Sequence, residues 1–95
     1  MRIVFLPAAV ADLRWLHDYY VRVFPDGHDR AVRQLKSTLQ TLRANPHAGR
    51  TSEVESGVRE LVVPRTPFVI LYRVQREKGR IEVLRVIDAR SNWRK

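Results

Sequence analysis

Three apolar runs crowded into residues 58–87 leave little choice of fold. They are Gly57-Val58-Arg59-Glu60-Leu61-Val62-Val63, Phe68-Val69-Ile70-Leu71-Tyr72-Arg73-Val74 and Ile81-Glu82-Val83-Leu84-Arg85-Val86-Ile87. Each is rich in Val, Ile and Leu and has the length of a strand. The links between them, Pro64-Arg65-Thr66-Pro67 and Arg76-Glu77-Lys78-Gly79, are turn sequences. Links this short join only antiparallel neighbours, so residues 58–87 read as a three-stranded antiparallel meander. The second and third strands are nearly all apolar, which makes them central and covered on at least one face. Every strand also carries an arginine. Arginine in a half-buried strand is costly unless it lines a face meant for an anionic partner.

The first half alternates differently. Arg2-Ile3-Val4-Phe5-Leu6 is a short strand ended by Pro7, a residue suited to the first turn of a helix. Val10, Leu13, Leu16, Tyr20 and Val23 then recur at spacings of three and four, one face of a helix over residues 8–24. Pro25-Asp26-Gly27 reads as a turn, with Asp26 or Asp29 as a cap for a second helix. That helix places Ala31, Leu35, Leu39 and Leu42 on one side, and Asn45-Pro46 stops it. Residues 46–57 are polar and turn-rich and read as a loop. The expectation is one α+β domain over residues 1–95 in two layers. Its parts are a strand at 1–6, a helical hairpin at 7–45, a loop at 46–57, the meander at 58–87 and a tail at 88–95. The first strand pairs with a later one.

Charge narrows the partners. The net charge is +8, and residues 59–95 carry ten basic side chains against four acidic ones, whereas the first 58 carry eight against six. Fifteen of the eighteen basic residues are arginine, which makes bidentate contacts to carboxylate and phosphate. An acidic partner is expected, either nucleic acid or an acidic protein segment, unless the surface simply keeps a small protein soluble. The absence of cysteine excludes disulfides and thiolate metal sites. Met1 leads straight into a strand and no apolar run reaches membrane-spanning length, so a soluble, cytoplasmic protein with no membrane partner is expected.

Enzyme motifs are scarce. There is no Gly-rich phosphate loop, nucleophile elbow or HExxH. His17, His28 and His47 are not at metal-ligand spacing. His17 and His28 read as surface histidines. His47, in the loop before the sheet, is either a loop histidine or an acid–base group near the arginines. Glu53 and Glu55 are solvated charges or a carboxylate pair. No cofactor is expected. Strict alternation would set Arg59 with Leu61, Val69 and Leu71 with Arg73, and Ile81, Val83, Arg85 and Ile87 together. If those faces coincide, Arg59, Arg73 and Arg85 cluster on the side away from the helices; otherwise each reaches water near a strand end. Trp93, beside Arg90 and Arg94, either stacks on a partner or folds back over the sheet.

Taken in order, Ala11-Asp12-Leu13 with Leu16 and Tyr19-Tyr20, Leu42 with Asn45-Pro46 and Gly49-Arg50, then Gly57-Val58-Arg59-Glu60-Leu61, Ile70-Leu71-Tyr72-Arg73-Val74, Ile81, Val83-Leu84-Arg85-Val86 and Asp88-Ala89-Arg90 with Trp93 span nearly the whole chain. This series resembles the RelE/ParE superfamily of bacterial type II toxins. The resemblance implies a cognate, ParD-like antitoxin that wraps the toxin with an acidic amphipathic segment, and a role in plasmid stabilisation. RelE-like members cleave mRNA on the ribosome, whereas ParE-like members inhibit DNA gyrase. RelE-like chains carry lysines where alignment puts Glu60 and Val62, and an arginine where it puts Val69; Asp88 stands where the family often has histidine. A carboxylate and two valines cannot stabilise a pentavalent phosphate, so the ParE-like branch is favoured. Under it Arg59, Arg73, Arg85, Arg90 and Trp93 are partner contacts. The alternatives are a nuclease acting through Arg73, Arg85, Arg90 and His47, and a degenerate member that only binds its antitoxin.

Overall fold

The computed structural model describes residues 1–90. Seven elements follow one another: β1 (Arg2–Phe5), α1 (Pro7–Val23), α2 (Pro25–Ala44), β2 (Arg50–Thr51), β3 (Arg59–Val62), β4 (Phe68–Gln75) and β5 (Arg80–Asp88). They make a five-stranded sheet in the order β1-β5-β4-β3-β2, with the helical hairpin on one face. β3, β4 and β5 form the antiparallel meander, and β1 runs parallel to β5 at its edge. The two-layer α+β architecture expected from the sequence is the one found.

The core lies between hairpin and sheet. Phe68, Ile70, Tyr72, Ile81, Val83 and Val86 form the inner, helix-covered face, and Ala9, Leu13, Leu16, Tyr20, Leu35, Leu39 and Leu42 meet it from the helices. Val10 and Val23, expected in this stripe, are exposed, and Ala9 takes the buried place instead. Gly79 closes the β4–β5 turn in the left-handed conformation, φ 63°, after a short 3-10 turn at Arg76–Lys78. Glycine alone adopts that geometry at no steric cost.

Four local expectations are corrected. Pro25-Asp26-Gly27 is no turn but the first turn of α2; the break falls at Phe24 alone, φ −145° and ψ 63°, and Pro25 enters at N1, where its fixed φ suits a helix. Neither Asp26 nor Asp29 caps α2, whose N-cap is Phe24. The 46–57 loop contains β2, because Arg50 and Thr51 find open pairing positions opposite Glu60 and Arg59. Finally, β5 does not alternate regularly. Tyr72 pairs with Val83 but Leu71 pairs with Arg85, so Leu84 is an extra residue, a β-bulge. Ile81 and Val83 face the helices before it, Val86 after it, and Arg85 and Ile87 are turned to the outer face.

Candidate functional site

Of the two alternatives for the meander arginines, neither holds whole: Arg73 and Arg85 share the outer face, and Arg59 does not. Arg59 lies opposite Tyr72 and shares its inner face. Its Nη1 donates to the Gly49 carbonyl at 2.8 Å. The Tyr72 hydroxyl donates to the Pro46 carbonyl at 2.8 Å and accepts from the Gly49 N–H at 2.9 Å. Arg59 and Tyr72 thus hold the loop between α2 and β2. Burial pushes the Tyr72 phenol above its ordinary pKa, against the opposing pull of the Gly49 N–H and the Arg59 charge. Gly49 is required by space: a Cβ there would stand 2.7 Å from the Glu60 carbonyl oxygen and 2.8 Å from the Tyr72 ring.

Arg73 and Arg80 occupy the other face and share one acid. Glu82 is 2% exposed. Its Oε1 accepts from Arg73 Nε at 2.7 Å and its Oε2 from Arg80 Nε at 2.8 Å, and Arg80 Nη2 closes a second bond. Gln75 adds a longer contact of 3.4 Å. The bonds from Arg73 and then Arg80 hold the Glu82 carboxyl down, from its ordinary 4.5 to about 2.

Arg85 reaches back to the first helix. Its Nε and Nη2 grip the two oxygens of Asp12 at 2.7 and 2.9 Å, a bidentate fork. Asp12 Oδ2 also accepts the Val86 N–H at 2.9 Å, capping β5 beyond the point where β1 ends. Arg90 is likewise forked, to Asp88, at 3.0 and 2.7 Å, and that bond lowers the Asp88 pKa. Arg50 pairs with the buried Glu60 at 3.2 Å. Each of Arg59, Arg73, Arg85 and Arg90 therefore has an internal acceptor, while three of these side chains still present guanidinium surface: Arg73, Arg85 and Arg90 are 44%, 50% and 74% exposed.

The remaining candidates are dispersed. His47 lies against Arg76, with Nε2 2.5 Å from Nη2, and not beside Arg73, Arg85 or Arg90 in the hydrogen-bond network. Glu53 and Glu55 are exposed. Trp93 lies outside the described residues. Glu60 and Val69 are buried on the outer face and Val62 is 61% exposed there. That face carries a shallow depression formed by Leu71, Arg85 and Ile87 with Val58 and with Ser52 and Val54 of the loop. Two other surfaces lie beside the hairpin. An open groove runs between α1 and the free edge of β5, lined by Trp15, Asp12, Arg85 and Ile87. An apolar cleft of about 130 Å³ sits between hairpin and sheet, walled by Leu13, Leu16, Tyr20, Leu35, Phe68 and Val86, with His17 and His28 beside it. Among the described residues no three His, Cys, Asp or Glu side chains come together as a metal cluster.

Sequence reasoning missed Asp12 and Glu82 as partners. Glu82 had a signal: a carboxylate between Ile81 and Val83 in an apolar strand needs a counter-ion. Asp12 had none, since Arg85 is 73 residues away.

Comparison with known proteins is consistent with this geometry. The family model described as ParE toxin of type II toxin-antitoxin system, parDE, matches residues 3–93. The protein named "Putative toxin Y4kP" from Sinorhizobium fredii is 33% identical over 69 residues, covering 73% of this chain and 68% of the relative. A solved structure of the chromosomal ParDE TA system from P. aeruginosa superposes with a TM-score of 0.75 at 34% identity, over 93% of this chain and 95% of that one.

Proposed function

Since the chain belongs to the ParE toxin family of type II toxin–antitoxin systems, we propose that it inhibits DNA gyrase by binding and that a cognate antitoxin neutralises it in the cytoplasm. One observation carries the choice of gyrase over the ribosome. The outer-face positions where RNA-cleaving members of the superfamily place cations hold Glu60, Val62 and Val69, and Arg50 is already spent on Glu60. None of the three positions offers a phosphate a cation: Glu60 and Val69 are buried and Val62 is apolar, so charge developing there meets no fixed positive group from them. Arg90, the position that best matches the cleavage set, is forked to Asp88.

An acidic amphipathic antitoxin segment suits the same molecule. The net charge is +8, and the hairpin exposes Trp15, Val21, Val23 and Phe24. Exposed apolar side chains among basic ones favour a partner that is apolar on one side and acidic on the other.

The test is induction of the chain in a bacterial cell, with the DNA-damage (SOS) response and mRNA integrity read together. SOS induction with intact transcripts is expected. Transcripts cut at ribosome-occupied codons without SOS would overturn the gyrase reading in favour of a nuclease. Growth without either signal, with soluble protein present, would make the chain an antitoxin-binding member without toxicity.

A further inference from the structure

Away from the arginines, His17 of α1 and His28 of α2 meet across the hairpin near its tip. Nδ1 of His17 and Nε2 of His28 are 3.2 Å apart. The rings lie edge to face, centroids 5.1 Å apart and planes at 75°. Two imidazole nitrogens on one tetrahedral zinc ion, each about 2.0–2.1 Å from the metal, stand about 3.3–3.4 Å from each other. The pair is already near ligand spacing. On the far side of the His28 ring, Nδ1 lies 3.5 Å from the Asp29 carboxylate. A carboxylate beside the outer ring nitrogen is the backing commonly found behind metal-bound histidines; a metal ion between the rings takes the lone pairs of His28 Nε2 and His17 Nδ1, with the ring protons on His28 Nδ1 and His17 Nε2. Both residues sit on regular helix, His17 inside α1 and His28 in the first turns of α2, so packed elements rather than a loop set their separation.

We infer that His17 and His28 form a two-imidazole site for a divalent transition-metal ion of the zinc or nickel type. No third His, Cys, Asp or Glu among the described residues completes the shell, so water fills the other positions and binding is modest and reversible. The choice of metal class follows from the donors: neutral imidazole suits zinc, nickel and copper rather than magnesium or calcium. Because both rings flank the apolar cleft, the bound ion staples α1 to α2 beside it.

The experiment is thermal unfolding of the full, tag-free chain with and without ZnCl2 or NiCl2. Metal in several-fold excess over its dissociation constant should raise Tm by about 5 °C. His17→Asn and His28→Asn should each lose that rise, every variant being compared with its own metal-free Tm. His47→Asn should keep it, since that ring faces Arg76. In parallel, 15N NMR of the imidazoles should show Zn2+ shifting His17 Nδ1 and His28 Nε2 and leaving His47 unmoved. This reading needs only the native chain and decides the matter if a variant fails to fold. Absence of a metal-dependent rise, a rise that survives loss of both histidines, or NMR shifts confined to His47 would each overturn the site.

Discussion

Asp12 accepts from two groups of β5, the Arg85 guanidinium and the Val86 N–H, whereas Arg85 takes part only in the first contact. The fork between them is half exposed on its Arg85 side, and a pair open to solvent on one side is screened and contributes modestly. The Val86 N–H, by contrast, sits on a strand edge with Asp12 as its acceptor. Arg85→Ala should therefore cost about 0.5–1 kcal/mol, as a screened ion pair does. Asp12→Ala should cost about 1–3 kcal/mol, because a backbone donor also loses its partner. Urea unfolding of the two variants checks the order, and equal losses would sink the argument. Tyr72 is a second such residue. Tyr72→Phe strands the Gly49 N–H and the Pro46 carbonyl together, which should cost about 1–3 kcal/mol in the same assay. The arginines of the meander could be read in the sequence as residues, and the acceptors they bond within the fold mostly could not. A strand pattern states which side chains are cationic, but the acceptor for Arg85 comes from a helix 73 residues away, and the acceptor for Arg59 is a backbone carbonyl that no side-chain pattern encodes.

The elements themselves were legible where periodicity is strong. β4 occupies residues 68–75 as expected, and α2 ends before Asn45-Pro46. The hairpin tip was misread because Pro and Gly both mark turns, yet Pro25 at N1 is as compatible with a helix start as with a turn. Arginine facing was open for a different reason. Arg59 turns inward because its register sets it opposite Tyr72, and in β5 alternation assumes one residue per step whereas the bulge at Leu84 adds one. The bulge lets a single strand bury Ile81 and Val83 before it and Val86 after it while turning Arg85 outward to Asp12. Deleting Leu84 should restore regular alternation and force either half of β5 onto the wrong face. The expected loss is about 3 kcal/mol or more, a large share of the stability of a chain this size. A variant that unfolds at the parent urea midpoint would show that the bulge is incidental.

For the molecule as a whole, a net charge of +8 makes its few carboxylates important. Glu82 separates Arg73 from Arg80, and its folded-state pKa is lowered from 4.5 to about 2. A carboxyl held low in the folded state contributes stability that is present above its ordinary pKa. That contribution is lost as pH falls through 4.5 towards about 2. Stability should therefore drop steeply over that interval, and Glu82→Gln, already lacking the carboxylate, should show a flatter acid limb from a lower starting point. Parallel acid-unfolding curves for the two proteins would contradict this. The sheet order carries a last consequence. β1 precedes every other element, yet among the described residues its neighbour in the sheet is β5 alone, and the register joins Arg2 to Arg80. During synthesis β1 has no partner until β5 has been translated. A ribosome stalled before residue 80 holds a chain whose sheet is open along that edge, and closure of that edge is timed by the translation of β5 rather than of β1.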